Sequence, residues 1–286
     1  MRWLELEGLG KHWERARVNA VLKPEADQIN ISETNVTRLC LRFGPGESPF
    51  KTGSIPVVTI DGKSVKTHTV PSERSFVVHL HKEGTSWKAD DAATAGVAKR
   101  PGLQGPIDDA FMDSFVMVKP TGASANAKVA DWVAKEMDHA IVHWRRQFRG
   151  EARVKTDAEI SDEDIASSNL VLWGDPTSNK VLARLADRLP VKWDAQGVHV
   201  GNKLFAGDHH VPVLIYPNPL NPNKYIVLNS GFTYREYDYL NNARQVPRLP
   251  DWAVVDVTVP VSSRWPGGVV DAAFFGESWE LTSERK

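Results

Sequence analysis

Apolar and polar residues alternate along most of the first third of the chain, as they do in strands that bury one face. Turn residues separate the alternating runs, and the Asp61-Gly62 pair between two of them is typical of a tight hairpin. This spacing predicts a β-sandwich-like domain over residues 1–95. The alternating or β-branched runs are residues 18–22, 28–32, 36–43, 57–60 and 75–81.

The pattern changes at about residue 100, where short apolar runs begin to alternate with runs at helical spacing. In the clearest case, residues 170–173 are apolar, Gly174-Asp175-Pro176 interrupts them, and apolar residues then recur at helical spacing until Pro190. Such strand–turn–helix units build parallel sheets that are covered by helices. We therefore predict a three-layer, flavodoxin-like α/β domain with a mostly parallel sheet over residues 96–286. A linker is expected at about residues 90–107, which are small and rich in Gly and Pro.

The same rules assign the other elements of this domain. The longest is a helix over residues 123–148, whose apolar residues follow one stripe. Shorter helices are predicted from Ser161 and over residues 181–189 and 235–240. The predicted strands are residues 115–119, 151–155, 198–200, 203–205, 211–216, 225–229 and 252–257.

Loops that follow the strands of a parallel sheet often carry binding sites. Thr177, Ser178 and Asn179 follow the apolar run at 170–173 and are residue types that cap helices. Their turn is expected to present free backbone N–H groups to a ligand. Ser178 and Ser230 each follow a predicted strand, where a nucleophile could be presented. Neither lies in a Gly-x-Ser-x-Gly motif, which argues against a conventional serine hydrolase site.

Asp208, His209 and His210 directly precede the predicted strand at 211–216. One of the histidines could act as a general base or a metal ligand, with Asp208 orienting its ring. Adjacent residues of a strand point to opposite faces, so the two rings could reach one point only if the chain bends. The alternative is a polar loop that leads into a buried strand.

Asp108, Asp109 and Asp113 form the other dense polar cluster. Carboxylates this close in sequence could bind a divalent metal such as Ca²⁺, or they could simply line the start of a short helix. His139 and His143 lie four residues apart on the predicted long helix, which suits a metal pair but also suits two surface histidines. No glycine motif for binding a dinucleotide or a phosphate occurs, so nucleotide cofactors have no support.

Composition narrows the classes of partner. Lys and Arg number 35 against 36 for Asp and Glu, and a net charge of −1 gives no reason to expect nucleic acid or an anionic membrane. The single cysteine, Cys40, is predicted to pack in a strand. No apolar run approaches the ~20 residues that span a bilayer, and the first residues lack the apolar core of a signal peptide. From these features alone we expect a soluble, cytoplasmic chain.

Five longer motifs stand out from residue 100 onward. They are Gly102-Leu-Gln-Gly-Pro-Ile-Asp-Asp-Ala-Phe111, Leu170-Val-Leu-Trp-Gly-Asp-Pro-Thr-Ser-Asn-Lys-Val-Leu182, His209-His-Val-Pro-Val-Leu-Ile-Tyr-Pro-Asn-Pro-Leu-Asn-Pro222, Val227-Leu-Asn-Ser-Gly-Phe-Thr233 and Asn241-Asn-Ala-Arg-Gln-Val-Pro-Arg-Leu-Pro-Asp-Trp252. Together they resemble the C-terminal region of large bacterial prolyl-oligopeptidase-family proteins, an exported group of peptidases and esterases. The resemblance implies a periplasmic or extracellular parent protein in which an α/β-hydrolase domain with the serine nucleophile precedes this region. No segment matches the nucleophile motif, so no catalytic triad carries over.

Three hypotheses follow. The first is a module of a hydrolase system that has no triad and that positions substrate or packs on a catalytic domain. The second is a free-standing hydrolase of small carboxylic esters or lactones, whose site combines Asp108, Asp109, His209 or His210, and Ser230, with a metal as a candidate cofactor. The third is a carbohydrate- or polymer-binding module that stacks sugars on Trp13 and Trp87. An enzyme predicts that the candidate residues converge in one pocket, whereas an accessory module predicts that they are dispersed or bonded internally.

Overall fold

In a computed structural model, which describes residues 2–11, 14–90 and 97–282, the chain divides into two compact units. The first unit lies within Met1–Pro101 together with Gly276–Ser278. The second lies within Gly102–Phe275 and Trp279–Lys286. Trp13 and residues 91–96 of the predicted linker fall outside the described ranges.

The first unit consists of two four-stranded sheets, in the orders β1-β4-β7-β8 and β2-β3-β5-β6. Within them, β3 and β5 form the one parallel pair among the described strands of this unit. The strands are β1 (Leu4–Leu9), β2 (Arg17–Lys23), β3 (Gln28–Thr34), β4 (Val36–Phe43), β5 (Val57–Ile60), β6 (Lys63–Val65), β7 (Phe76–Glu83) and β8 (Ser86–Asp90).

Both sheets contribute to one apolar core, which includes Ile29 and Val58 from one sheet and Leu39 and Leu80 from the other. Alternation along each strand explains this arrangement, because every second side chain faces the partner sheet. Trp87 belongs to the same core and is only 7% exposed, so its ring is not presented on an open surface.

Cys40 is buried, as its apolar run predicts, but it does not join this core. It lies between Leu39 and Leu41 and therefore points to the opposite face of its sheet. Its partners in register on the neighbouring strands are Glu5 and His79. Burial raises the pKa of the Cys40 thiol to about 11.

The second unit contains a seven-stranded sheet in the order β10-β9-β11-β16-β15-β17-β18 and a separate three-stranded sheet, β12-β13-β14. Its three α-helices are α1 (Ala127–Phe148), α2 (Asp162–Ser167) and α3 (Lys180–Leu185). Its strands are β9 (Phe115–Lys119), β10 (Val154–Thr156), β11 (Asn169–Leu172), β12 (Lys192–Trp193), β13 (Gly197–Val200), β14 (Lys203–Ala206), β15 (His210–Asn218), β16 (Asn221–Leu228), β17 (Trp252–Asp256) and β18 (Gly268–Ala273).

The predicted three-layer, flavodoxin-like α/β domain with a mostly parallel sheet is wrong. Only β10, β9, β11 and β16 run parallel, whereas β15, β17 and β18 pair antiparallel, as do all strands of the smaller sheet. The described chain is mostly β, and two of its three α-helices have six residues each.

The physical reason lies in the connection from β15 to β16. A parallel pair needs a crossover of a dozen or more residues, but Asn218 already pairs with Asn221. The proline-rich stretch at 217–222 thus contains the turn of a hairpin and the strand ends beside it. Antiparallel neighbours can be joined by a hairpin and need no crossover helix. The unit therefore has few helices that could form two layers over its sheet.

The predicted long helix is confirmed as α1, although it begins four residues later than expected. Asn126 is extended and its side chain accepts hydrogen bonds from the N–H groups of Lys128 and Val129, which fixes the start of the helix. Val129, Val133 and Ala140 of α1 join the core of the seven-stranded sheet. No described helix is both long enough and apolar enough to cross a membrane.

Candidate functional site

The polar residues singled out from the sequence lie mostly at one end of the seven-stranded sheet. β9, β11, β16 and β17 point the same way, so the loops at residues 120–126, 173–179 and 229–233 and the end of β17 share this edge. Because β15 runs the opposite way, its first residue, His210, lies toward the same edge. We call this end of the sheet the carboxyl edge.

Asp175 fills the loop after β11. Its carboxylate accepts hydrogen bonds from the N–H groups of Thr177 (3.0 Å) and Ser178 (2.8 Å) and from the hydroxyl of Thr177 (2.7 Å). Ser124 and the N–H of Ala125 also donate to it. The N–H groups that were predicted to be free for a ligand therefore donate to the Asp175 carboxylate of the same loop. Burial acts to raise the pKa of Asp175, but these hydrogen bonds outweigh it and hold the pKa below its ordinary value.

Further hydrogen bonds hold this loop to its neighbours. Asn179 caps α3 by accepting from the N–H groups of Val181 and Leu182, and its amide donates to the Trp173 carbonyl at 2.9 Å. Asn229, after β16, exchanges two hydrogen bonds of 2.8 and 3.0 Å with the backbone of Gly174. The Ser178 hydroxyl bonds to the Asp175 backbone. The loops after β11 and β16 therefore form a fixed, internally bonded surface.

His209 and His210 are brought together by a turn. His209 lies just before β15 begins, so the alternation that would send the two rings apart does not apply to it. The ring centroids are 4.1 Å apart. Nδ1 of His209 lies 2.5 Å from Oδ1 of Asp208, and Nδ1 of His210 lies 3.0 Å from the Ala206 carbonyl oxygen.

Asp256 completes this cluster from the neighbouring strand, where it lies opposite His210 in register. One ligand atom from each of His209, His210 and Asp256 lies within 4.8 Å of the others. Oδ1 of Asp256 accepts from the N–H (2.8 Å) and the hydroxyl (2.6 Å) of Thr258. These bonds, with a smaller contribution from the nearby imidazoles, hold the pKa of Asp256 below its ordinary value. Two imidazoles and an ionised carboxylate can together hold a divalent cation.

The predicted acidic cluster is dispersed. Asp108 accepts from the Thr233 N–H (3.1 Å), Asp109 from the Tyr225 hydroxyl (2.6 Å), and Asp113 from Lys224 Nζ (2.6 Å). Within the described ranges, none of the three aspartates joins two other potential ligands at metal-binding distance. Burial raises the pKa of Asp108 to about 7, with the Thr233 hydrogen bonds acting against it, so this carboxyl is poorly suited to hold a cation.

Ser230 lies at the end of β16, but its Oγ donates to the Gly231 carbonyl at 2.9 Å. Ser230 and His139 line one cavity, together with Glu136 from the same helix as His139. The cavity has a volume of about 20 Å³, which is room for a single water molecule. An ester substrate would not fit beside this hydroxyl.

His139 and His143 of α1 do not form a metal pair. Nε2 of His139 lies 2.7 Å from Glu236, whereas Nδ1 of His143 lies 2.8 Å from the Tyr239 hydroxyl. His143 is 2% exposed, and burial lowers its pKa to about 4, with a further contribution from His139. At neutral pH it is an uncharged, packed side chain.

The sequence pointed to His209, His210 and Ser230 but missed two features of this unit. One is Asp256, the last residue of an apolar strand, which could have been noticed as an acidic strand end. The other is a buried ion pair in which Arg235 Nη1 donates to Glu136 at 2.7 Å. No local signal marks this pair, because it joins α1 to a turn 99 residues later.

Comparisons with protein-family models, with curated proteins and with solved structures found no significant match to this chain.

Proposed function

We propose that the chain is an accessory module of a hydrolase system, one that packs on a catalytic domain or positions its substrate. One observation carries this proposal: Ser230, the best-placed candidate nucleophile, donates its hydrogen bond to a backbone carbonyl beside a cavity of about 20 Å³. A nucleophile needs a base within hydrogen-bond reach and space for the substrate. Asp108 and Asp109 likewise have internal partners, Thr233 and Tyr225.

A partner surface is available in the same unit. Tyr237, Leu240 and Trp265 are 38%, 72% and 41% exposed, respectively. The Tyr237 N–H donates to the Ser263 carbonyl at 3.0 Å, and the Arg264 guanidinium lies 3.7 Å from the centre of the Tyr237 ring. These contacts bring the segment at 236–240 against residues 263 and 264, and both segments carry exposed apolar side chains. Arginine and aromatic side chains of this kind are common at protein interfaces. An α/β-hydrolase catalytic domain is the occupant that the family resemblance implies.

A binding experiment tests this proposal. The chain would be mixed with an α/β-hydrolase domain taken from a bacterial prolyl-oligopeptidase-family protein, and the affinity would be measured together with the kcat/KM of the hydrolase for p-nitrophenyl esters. Leu240→Asp places a charge on this surface and should weaken binding at least tenfold. Leu204→Asp changes an equally apolar leucine, 55% exposed on β14, and serves as the matched control. Ester turnover by the chain alone that Ser230→Ala abolishes would refute the accessory role.

A second candidate function, metal-assisted hydrolysis of small esters or lactones, is favoured by the cluster of His209, His210 and Asp256. A bound metal could lower the pKa of a water molecule and polarise the ester carbonyl. The purified chain would be assayed on p-nitrophenyl acetate and an acyl lactone, with and without EDTA. Turnover that is lost with EDTA and in a His209→Ala/His210→Ala double variant would favour this function over the accessory role.

A further inference from the structure

We propose that His209, His210 and Asp256 form a binding site for one divalent transition metal ion, with Zn²⁺ as the reference ion. The inference does not depend on the accessory role, because the site could hold the carboxyl edge together or activate a water molecule. One ligand atom from each of the three residues lies within 4.8 Å of the others, which allows all three to contact one ion.

The hydrogen-bond partners of the two rings favour the tautomer with the proton on Nδ1. Nδ1 of His209 lies 2.5 Å from the Asp208 carboxylate, and Nδ1 of His210 lies 3.0 Å from the Ala206 carbonyl oxygen. A carbonyl oxygen can only accept, so His210 carries its proton on Nδ1 and leaves the Nε2 lone pair available. The same assignment for His209 follows from the carboxylate beside it. Metal-binding histidines commonly donate their second N–H to a carboxylate or a carbonyl in this way.

Asp256 is prepared as the third ligand. Both hydrogen bonds from Thr258 go to Oδ1, so Oδ2 remains for a cation. Asp256 is the last residue of β17. Its strand pairs directly with that of His210, and the Val257 N–H donates to the His209 carbonyl at 2.9 Å. The backbone therefore holds the ligands in a fixed arrangement.

The ligand types select the ion. Two imidazoles and one carboxylate suit Zn²⁺, Co²⁺ or Fe²⁺, whereas Ca²⁺ and Mg²⁺ prefer sites made entirely of oxygen ligands. Three protein ligands leave a fourth position for water. The first unit holds a comparable group, Glu7, Cys40 and His79. That group is less suited to a metal, because burial keeps Cys40 a thiol and both carboxylate oxygens of Glu7 lie within 3.0 Å of His79 Nδ1.

Metal binding to the full chain tests the proposal. Metal-free protein would be titrated with Zn²⁺ by calorimetry against a competing chelator, and with Co²⁺ by visible absorption. We expect one ion per chain. His210→Ala and Asp256→Asn should each weaken binding at least about 100-fold. Asp208→Asn should weaken binding about 10- to 100-fold, because Asp208 only orients His209. The matched control is His199→Ala, because His199 is another partly exposed histidine beside an aspartate, with Nε2 3.2 Å from Asp194.

Circular dichroism of each metal-free variant would check that it folds. If Asp256→Asn does not fold, His209→Gln replaces it, because glutamine keeps most of the side-chain volume. Saturable binding of one ion that His199→Ala leaves unchanged and His210→Ala removes would establish the site. Binding that is absent, or that all the variants share equally, would overturn it.

Discussion

Thr233 binds Asp108 twice, through its backbone N–H and through its hydroxyl, although the two residues are 125 positions apart in sequence. Both residues are buried, and the contact holds the turn at Ile107–Phe111 against the segment that follows β16. In this setting burial raises the pKa of Asp108 from 3.8 to about 7. From the sequence, Asp108 is predicted to belong to a candidate catalytic cluster. In the structure its contact with Thr233 is instead a determinant of stability.

Asp108→Asn should change how stability depends on pH. Between pH 4 and pH 7 the folded chain keeps a proton on Asp108 that the unfolded chain releases, so stability decreases as the pH rises through this range. The slope from this group approaches about 1.4 kcal/mol per pH unit. Asparagine cannot lose the proton, so the variant should gain stability relative to the parent as the pH rises. Urea unfolding at pH 4.5, 6 and 7.5 measures this, and a constant difference across the three values would refute it.

His143→Gln should have the opposite effect. The folded pKa of His143 is about 4, below the unfolded value of 6.5, so the unfolded chain binds a proton first as the pH falls. Stability is therefore lost as the pH decreases from 6.5 toward 4. Glutamine can keep the hydrogen bond to Tyr239 but does not titrate. The loss in free energy of unfolding relative to the parent should therefore be smaller at pH 4.5 than at pH 7.5, as measured by urea unfolding. His199→Gln, at a partly exposed histidine of the same unit, is the control substitution.

Removing one partner of the buried Glu136–Arg235 pair should be costly. Both side chains are less than 9% exposed, and Glu136→Gln removes the nearer counter-charge of the guanidinium, leaving only Glu236 among the described residues, 4.0 Å from Arg235 Nε. We expect a loss of about 3 to 5 kcal/mol in the free energy of unfolding. Glu136→Met combined with Arg235→Met should lose less than Glu136→Met alone or Arg235→Met alone, because the double change removes both members of the pair. Equal or additive losses in this double-mutant cycle would contradict a coupled pair.

Asn179→Ala should destabilise the loop after β11. The residue is fully buried, caps α3 through its Oδ1 and donates from its amide to the Trp173 carbonyl. Loss of the cap costs about 1 kcal/mol, and a buried carbonyl without its donor adds about 1 to 3 kcal/mol. Asn179→Ser restores only the cap and should recover about 1 kcal/mol. Thermal unfolding distinguishes the two variants. If the serine and alanine variants have the same Tm, the cap contributes nothing to stability.

Local features of the fold could be predicted from the sequence, because they depend on neighbouring residues. The stripe of apolar residues located α1, and Ser161 with its acidic first turn located α2, where Ser161 and Asp164 form a capping box. Strand direction could not be predicted in the same way. A buried strand has the same apolar run whether its neighbour is parallel or antiparallel, so the hairpin at 217–222 was missed.

The candidate site shows the same limit. His209 and His210 were visible as a pair, but their convergence depends on a turn that ends one residue before β15. Asp256 enters the cluster only through the register of two strands that begin 42 positions apart, which no short motif records. The hydrogen-bond partners of the predicted acidic cluster are also distant in sequence: Thr233 lies 125 positions from Asp108, and Tyr225 lies 116 positions from Asp109.

The position of β11 affects how the chain must be made. Its four residues are all buried, and it pairs with β9 on one side and with β16 on the other. During synthesis β16 emerges about 50 residues after β11, so until then one edge of an apolar strand has no partner. Unpaired edges of this kind promote association between chains. A protein that is cut or stalled before residue 221 is therefore expected to aggregate, and this unit should reach its native state only after β16 has left the ribosome.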